Sequence, residues 1–316
     1  MTPDYDIIVI GGGPAGLSAV SSIVRQDHKT LLFDSGKYRN GLSNHMHTVA
    51  SWDHRHPSEF RAAARADLDR YGSVTIEDVE VESAKKLEDG CFQVETAGKS
   101  WVGKKLILAT GVEDVFPDVP GYEDCWISGV FHCLYCHGWE EKGVKSAGML
   151  AEGATGKWVP ALHFARQALR MAETVTLYTD GNEELGQEIK DALKANPAPM
   201  TVDTRKITKL VKAPERAQVT LHFASGESKT EGFLAHKPQT RLRGSLAKQL
   251  GLEMTPMGTI QVTPPFNQTS VKGVFAAGDC SSPMQTVTAA LHSGTCTGGG
   301  APLQIQAETY GQPAIF

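Results

Sequence analysis

The chain has 316 residues, 41% of them apolar, and a formal net charge of −5. That length and apolar content supply core for two medium domains. The acidic balance, with no Lys/Arg run interleaved with aromatics, sets nucleic acid aside in favour of small neutral or cationic ligands. The opening MTPDYDIIVIGGG lacks the charged and apolar regions of a secretory leader, and no window reaches the roughly 18 apolar residues of a membrane span, so a soluble cytoplasmic protein with no membrane partner is expected.

Asp6-Ile7-Ile8-Val9-Ile10 is a β-branched run that stops at Gly11-Gly12-Gly13-Pro14-Ala15-Gly16 and gives way to the helix-like LSAVSSIVRQ. Strand, glycine turn and helix in that order open a nucleotide-binding unit. Gly11, Gly13 and Gly16 hold the G-x-G-x-x-G positions, which serve a tight turn, close backbone approach to a pyrophosphate, and close packing of helix on strand. With Pro14 and Ala15 they place the phosphate at the helix N-terminus. The next strand, TLLFD, ends in Asp34, followed by Ser35. Asp34 lies about twenty residues beyond the glycines, where an acid accepting from a ribose hydroxyl is expected. Lys105 to Gly111 reads as another buried strand, ending in Thr110-Gly111.

Of the cysteines at 91, 125, 133, 136, 280 and 296, only Cys133 and Cys136, in CLYCHGWE, have meaningful spacing. A structural zinc site needs four ligands. No second pair exists, and the adjacent His132 and His137 would be too strained to complete a tetrahedron, so no metal is expected. A purely structural disulfide is disfavoured in a reducing compartment, which leaves a redox pair as the main reading. A thiol in such a pair is acidified by a helix N-terminus or a cation. His137 can supply that cation or act as the base; its structural alternative is capping a helix.

The strand-like AGML at 147–150, the turn Ala151-Glu152-Gly153-Ala154-Thr155-Gly156, the helix WVPALHFARQALRMA and the strand TVTLYTD repeat the mononucleotide plan with changed chemistry. Ala151 stands where the first glycine belongs, and Glu152 puts a carboxylate beside the place a pyrophosphate would enter. Where an NADPH site offers arginines to the 2′-phosphate, the chain has Asp180-Gly181-Asn182-Glu183-Glu184. This unit is expected to keep the fold and to have lost NADPH binding. Further on, GVFAAGD at 273–279 is a third buried strand, ending in Gly278-Asp279, and Gln285-Thr286-Val287-Thr288 follows it.

These motifs resemble those of flavin disulfide reductases, in which an ATG and a GVFAAGD occupy the places of 109–111 and 273–279. The layout, with a CxxC at the start of an inserted nucleotide-type domain, resembles the low-molecular-weight thioredoxin reductases over nearly the whole chain. It implies an α/β fold of two Rossmann-like, three-layer ββα nucleotide-binding domains: an FAD-binding domain of 1–116 and 239–316, and an inserted degenerate NADPH-type domain of 117–238. It further implies FAD as cofactor, Asp279 on the flavin side chain, Gln285, Thr286 and Val287 at the isoalloxazine ring, and a homodimer. That family's pair is followed by an acid. Here His137 follows instead, and CLYCHGWE is more similar to the CxxCHG(Y/W)E of the flavin-dependent dithiol oxidases that close disulfides in natural products such as gliotoxin and holomycin. Tyr38-Arg39-Asn40, His45-Met46-His47 and Trp52-Asp53-His54-Arg55 resemble segments of the same oxidases, which adds Asn40 to the cofactor residues.

The resemblance implies a small-molecule dithiol as substrate, catalysis by Cys133, Cys136 and His137, and electrons passing through FAD to O2 to give H2O2, with Cys136 the flavin-proximal and Cys133 the interchange sulfur. The alternatives are a thioredoxin reductase fed by NADPH or by another donor such as ferredoxin, and a flavin-binding scaffold. His45 and His292 are candidate substrate contacts. His45, His47, Trp52 and His54 read equally as a pocket lining or as a dimer contact, and Cys280 and Cys296 as small buried hydrophobes.

Overall fold

The first strand is apolar from Ile7 to Ile10 because neighbours cover both its faces there. β1 (Tyr5–Ile10) leads through the glycine turn into α1 (Pro14–Ile23), then β2 (Thr30–Phe33), α2 (Pro57–Leu68) and β3 (Val74–Glu77). β1, β2 and β3 run parallel, with Ile7 opposite Thr30 and Thr30 opposite Val74. β4 (Ser83–Lys86), β5 (Phe92–Thr96) and β6 (Lys99–Leu108) form an antiparallel meander, and the second half of β6 turns back parallel to β1. Ile8, Ile10, Leu106 and Leu108 point into one core, and Ile7, Val9 and Ile107 into the other. A strand buried on both sides reads as a continuous apolar run rather than an alternating one.

β7 (Val112–Val115) carries the chain out of this unit. There follow α3 (Tyr122–Cys125), β8 (Val130–Phe131), β9 (Val144–Leu150), α4 (Trp158–Ala168), β10 (Ala172–Tyr178), α5 (Glu183–Ala195) and β11 (Met200–Asp203). Then come β12 (Ile207–Lys212), β13 (Val219–Phe223), β14 (Ser228–Glu231) and β15 (Leu234–Ala235). The parallel order β11-β10-β9-β15-β8 stands beside the antiparallel β12-β13-β14, so the plan of the first unit is repeated. β16 (Gln239–Leu242) brings the chain back, and α6 (Leu246–Gln249), β17 (Val274–Ala276) and α7 (Val287–Tyr310) complete the first unit, β17 lying parallel to β6.

This computed structural model describes residues 3–316. One unit is built from residues up to Glu113 and from Arg241 onward, the other from Asp114–Thr240. Each is Rossmann-like, and the α/β class expected from the sequence is the one observed. Among the described residues no helix is long and apolar enough to cross a membrane.

α7 packs along α1 through small residues. A Cβ added at Gly298 would lie 2.5 Å from the carbonyl oxygen of Ala19, whereas one at the neighbouring Gly299 would meet nothing nearer than Phe266 at 3.9 Å. Gly298→Ala is therefore expected to cost about 1–3 kcal/mol by overpacking. Gly299→Ala should gain about 0.5–1 kcal/mol from helix propensity. Thermal midpoints of the two variants, moving in opposite directions from wild type, check this.

Candidate active site

The glycine turn of the first unit makes a cradle. Gly11 adopts φ +121°, and a side chain on it would overlap the backbone of Ala109 at the end of β6; one on Gly16 would overlap the carbonyl of Gly11. A Cβ at Gly13, by contrast, would enter open space. Gly13 is the N-cap of α1, with Pro14 in the first turn and no side-chain cap, so the amide groups of that turn face an approach that no side chain blocks. Thr110 and Gly111 follow Ala109, just past the end of β6.

Asp34, just past β2, is 2% exposed. Its carboxylate accepts from Tyr38 Oη at 2.6 Å, Gly36 N at 3.0 Å and Arg65 Nη1 at 3.2 Å. Burial, and then the adjacent Asp34 charge, push the Tyr38 hydroxyl up to about 12. Ser35 Oγ accepts from Lys37 N at 3.4 Å, and Asn40 Oδ1 accepts from Arg61 Nη1 at 3.2 Å, the Arg61 guanidinium lying over the Tyr38 ring at 3.8 Å. In this arrangement the Asp34 carboxylate serves protein donors. The sequence did not reveal Tyr38 and Arg65 as its partners; the Tyr38-Arg39-Asn40 motif was the signal available.

At the carboxyl end of β17, Gly278 N donates to Ser293 Oγ at 2.8 Å. Asp279 Oδ2 and Gln285 Oε1 both accept from Arg39 Nη1, at 3.1 and 2.7 Å. Thr286 is the N-cap of α7, its hydroxyl accepting from Ala289 N at 3.2 Å. Val287 and Leu291 pack against a small apolar cluster of Met46, Val49, Trp52 and Phe60. Trp52 thus belongs to the packing of its own loop, with Arg55 over its ring at 4.3 Å. The structure gathers His45, His47 and His54, with ring centroids 4.6–6.3 Å apart. Asp53, not singled out from the sequence, lies between two of them, 3.1 Å from His47 Nδ1 and 3.4 Å from His54 Nε2. His292 is exposed, with Nε2 3.7 Å from Cys296 Sγ. Cys280 is fully buried, and burial pushes its thiol up to about 11; Cys296 is only half-buried, unlike the buried hydrophobe expected of it.

In the second unit Cys133 and Cys136 are joined as a disulfide just after β8. The turn is closed by Cys136 N and His137 N, which donate to the Cys133 carbonyl at 3.1 and 3.0 Å. Tyr135 and Trp139 stand out at 72% and 63% exposure. The next element among the described residues is a single 3-10 turn, Trp139–Glu141, whose N-cap is Gly138 with no side-chain cap, where a helix capped by His137 was the structural alternative. The His137 ring instead stacks on Phe131, with centroids 5.4 Å apart and planes 14° from parallel.

The nucleotide turn of this unit is shut by its own contacts. Thr155 Oγ1 lies 3.0 Å from the Leu150 carbonyl and 2.8 Å from that of Glu152. Burial and then the neighbouring Asp180 raise the Glu152 carboxyl, with Lys206 opposing. Lys206 pairs with Asp180 at 2.6 Å, and Arg205 with Asp203 and Glu227 at 2.5 Å each, so the cations between β11 and β12 are held by acids. Glu152 and Asp180 thus stand at this turn, where a pyrophosphate would call for cations. The sequence-expected helix to 172 ends at Ala168, because Ala172 already begins β10.

His236, 1% exposed just past β15, has Nδ1 2.6 Å from Tyr122 Oη, and burial pushes its pKa down to about 4. The unfolded chain protonates such a group near 6.5 while the folded chain does not. Stability is therefore complete above that pH and falls as pH drops toward 4, at a slope of up to about 1.4 kcal/mol per pH unit. Thermal midpoints across this range should fall more steeply for wild type than for His236→Gln.

The model of the pyridine nucleotide-disulphide oxidoreductase family matches residues 5–294. The chain is 45% identical over 314 residues to the thioredoxin reductase tcpT of Claviceps purpurea (strain 20.1), covering 98% of this chain and 97% of that protein. It is 41% identical over 307 residues to the thioredoxin reductase aclD of Aspergillus oryzae (strain ATCC 42149 / RIB 40), with 96% and 97% covered. The crystal structure of an oxidoreductase from Agrobacterium tumefaciens superposes with a TM-score of 0.84 at 32% identity, covering 97% of this chain and 99% of that one. A cradle on one sheet, a disulfide-closed CxxC in a second unit of the same plan, and these matches lead to one conclusion: the chain belongs to the pyridine nucleotide-disulphide oxidoreductase family.

Proposed function

We propose that this protein is an FAD-dependent dithiol oxidase that forms an intramolecular disulfide in a small-molecule natural product and delivers the electrons to O2 as H2O2. The observation that carries this reading is the Cys133–Cys136 disulfide in a unit whose own nucleotide turn presents Glu152 where a phosphate would enter. A disulfide-closed CxxC in a unit whose nucleotide turn carries an acid supports a reading in which electrons arrive from a thiol substrate rather than from NADPH. FAD fits the first unit: Gly11, Gly13, Pro14, Ala15 and Gly16 form the open cradle, and Asp34, Ser35, Asn40, Thr110, Gly111, Gly278, Asp279, Gln285, Thr286 and Val287 lie along the sheet edge and the α7 N-terminus that would hold it.

The substrate reaction is a thiol–disulfide exchange. One substrate thiolate attacks Cys133 Sγ, the Cys133–Cys136 bond breaks, and Cys136 leaves as thiolate. The second substrate thiolate attacks the substrate sulfur of the mixed disulfide, releasing Cys133 thiolate and the substrate as its cyclic disulfide. Two substrate protons are released: His137, next to Cys136 in sequence, is the proposed acceptor of the first, and the second goes to the departing Cys133 thiolate. FAD, when bound, supplies the two-electron acceptor that re-oxidises the pair and passes electrons to oxygen. A second reading, disulfide reductase, is favoured by the two fungal relatives, both named thioredoxin reductases. It requires NADPH or another donor such as ferredoxin.

With dithiothreitol and air, the wild type should consume thiols and produce one H2O2 per disulfide formed. Cys133→Ser and Cys136→Ser should each abolish turnover while FAD content stays unchanged. Full turnover in either variant refutes the mechanism, and a scaffold would be indifferent to both. His137→Ala should reduce turnover by about 10²–10⁴-fold at neutral pH. That deficit should narrow as pH approaches the intrinsic thiol pKa near 8.5, where substrate ionises unaided; a pH–rate profile of the two proteins checks it.

A further inference from the structure

The loop between β2 and α2 gathers three imidazoles and a carboxylate, and a strand-like start decides where they go. Met46 and Arg55 face each other in an antiparallel bridge, Met46 N donating to the Arg55 carbonyl at 2.8 Å and His54 N to the Met46 carbonyl at 2.9 Å. Met46 is 4% exposed and packs inward, so His45 and His47, on either side of it, turn outward together. The same register sets His54 opposite His47.

The groups end up close. The His47 and His54 rings meet edge to face with centroids 4.6 Å apart, and a nitrogen of one lies within 4.8 Å of a nitrogen of the other. Asp53 Oδ1 is 3.1 Å from His47 Nδ1, and Asp53 Oδ2 is 3.4 Å from His54 Nε2. The His45 centroid is 6.3 Å from that of His47 and 6.2 Å from that of His54. Asp53 and His54 are each more than half exposed, so an ion can reach them from solvent. Imidazole nitrogens with a carboxylate oxygen are the donor set of borderline divalent ions such as Zn²⁺, whereas Mg²⁺ and Ca²⁺ call for oxygen ligands.

We propose that His47, Asp53 and His54 form a binding site for a divalent transition-metal ion of the zinc type, water filling the remaining position. Side-chain rotation in the exposed loop brings the three donors to about 2 Å from one ion. The ion ties position 47 to position 54 across the loop. Met46, Val49 and Trp52 between and beside them pack on Val287 and Leu291 at the start of α7, so the tie braces that packing. The site is separate from the CxxC, whose sulfurs are joined to each other, and it does not depend on the flavin assignment.

The test dialyses the oxidised protein against Zn²⁺, counts ions bound per chain, and follows the thermal midpoint at each zinc concentration. Wild type should bind one ion through this loop and its midpoint should rise with zinc, while Mg²⁺ should do neither. His47→Ala and His54→Asn should each weaken that binding at least about tenfold, the loss typical even of a residue that only supports a ligand, and remove the rise. Asn is the choice at 54 because the backbone there has φ +60°, which Asn tolerates. Should His47→Ala fail to fold, Asp53→Asn, which keeps the shape of the side chain, must show the same loss. His292→Ala isolates another possible zinc ligand, an imidazole 3.7 Å from Cys296 Sγ, and should bind zinc as wild type does. Wild type that takes up no zinc overturns the proposal. So do His47→Ala and His54→Asn proteins that bind as wild type does, or His292→Ala protein that loses the ion.

Discussion

α1 is locked at its start by a backbone approach that glycine alone permits. Gly11 turns the chain off β1 against Ala109, and Gly16 presses the first turn of the helix onto Gly11. Along the rest of its length α1 lies against α7 through Gly298 and Ala19. With both helices fixed to each other and to the sheet, their N-termini, at Gly13 and Thr286, are fixed as well. Two helix N-termini and the ends of β2, β6 and β17 are the groups that an extended dinucleotide needs along one edge. Every proposed cofactor contact follows from that packing.

The second unit shows how little of a fold specifies its chemistry. It has a parallel sheet, an antiparallel three-stranded layer and a turn leading to a helix, as the first unit does. Yet its turn is closed by Thr155, its entrance carries Glu152 and Asp180, and Lys206 and Arg205 are already paired with acids. What this unit offers instead is a disulfide in a tight turn, flanked by the exposed Tyr135 and Trp139 and followed by a stacked imidazole.

Much of this was legible from the residues. The end of β1 (Ile7–Ile10), the end of β6 (Leu106–Leu108) and β17 announce themselves as apolar runs because both faces are buried there, and the glycine turn and the CxxC are local patterns whose spacing carries their geometry. Side-chain partnerships were less legible. Arg39 meets Asp279 across 240 residues of sequence, Arg65 meets Asp34 across 31, and no periodicity encodes such pairings. His137 invited a helix-capping reading because a short polar turn and a helix start look alike in one dimension; Gly138 and a single 3-10 turn follow instead. The overlong expectation for α4 has a similar origin, since ARQALRMA keeps a helical pattern while tertiary pairing takes Ala172 into β10.

The central claim is that electrons enter from a dithiol and not from a nicotinamide. It is tested most directly by following the flavin absorbance of the purified protein under nitrogen, with NADPH added to one cell and a reduced small dithiol to another. The oxidase reading requires that NADPH leave the band intact, that the dithiol bleach it, and that air restore it as H2O2 appears. Prompt bleaching by NADPH would contradict the reading and make the protein a reductase.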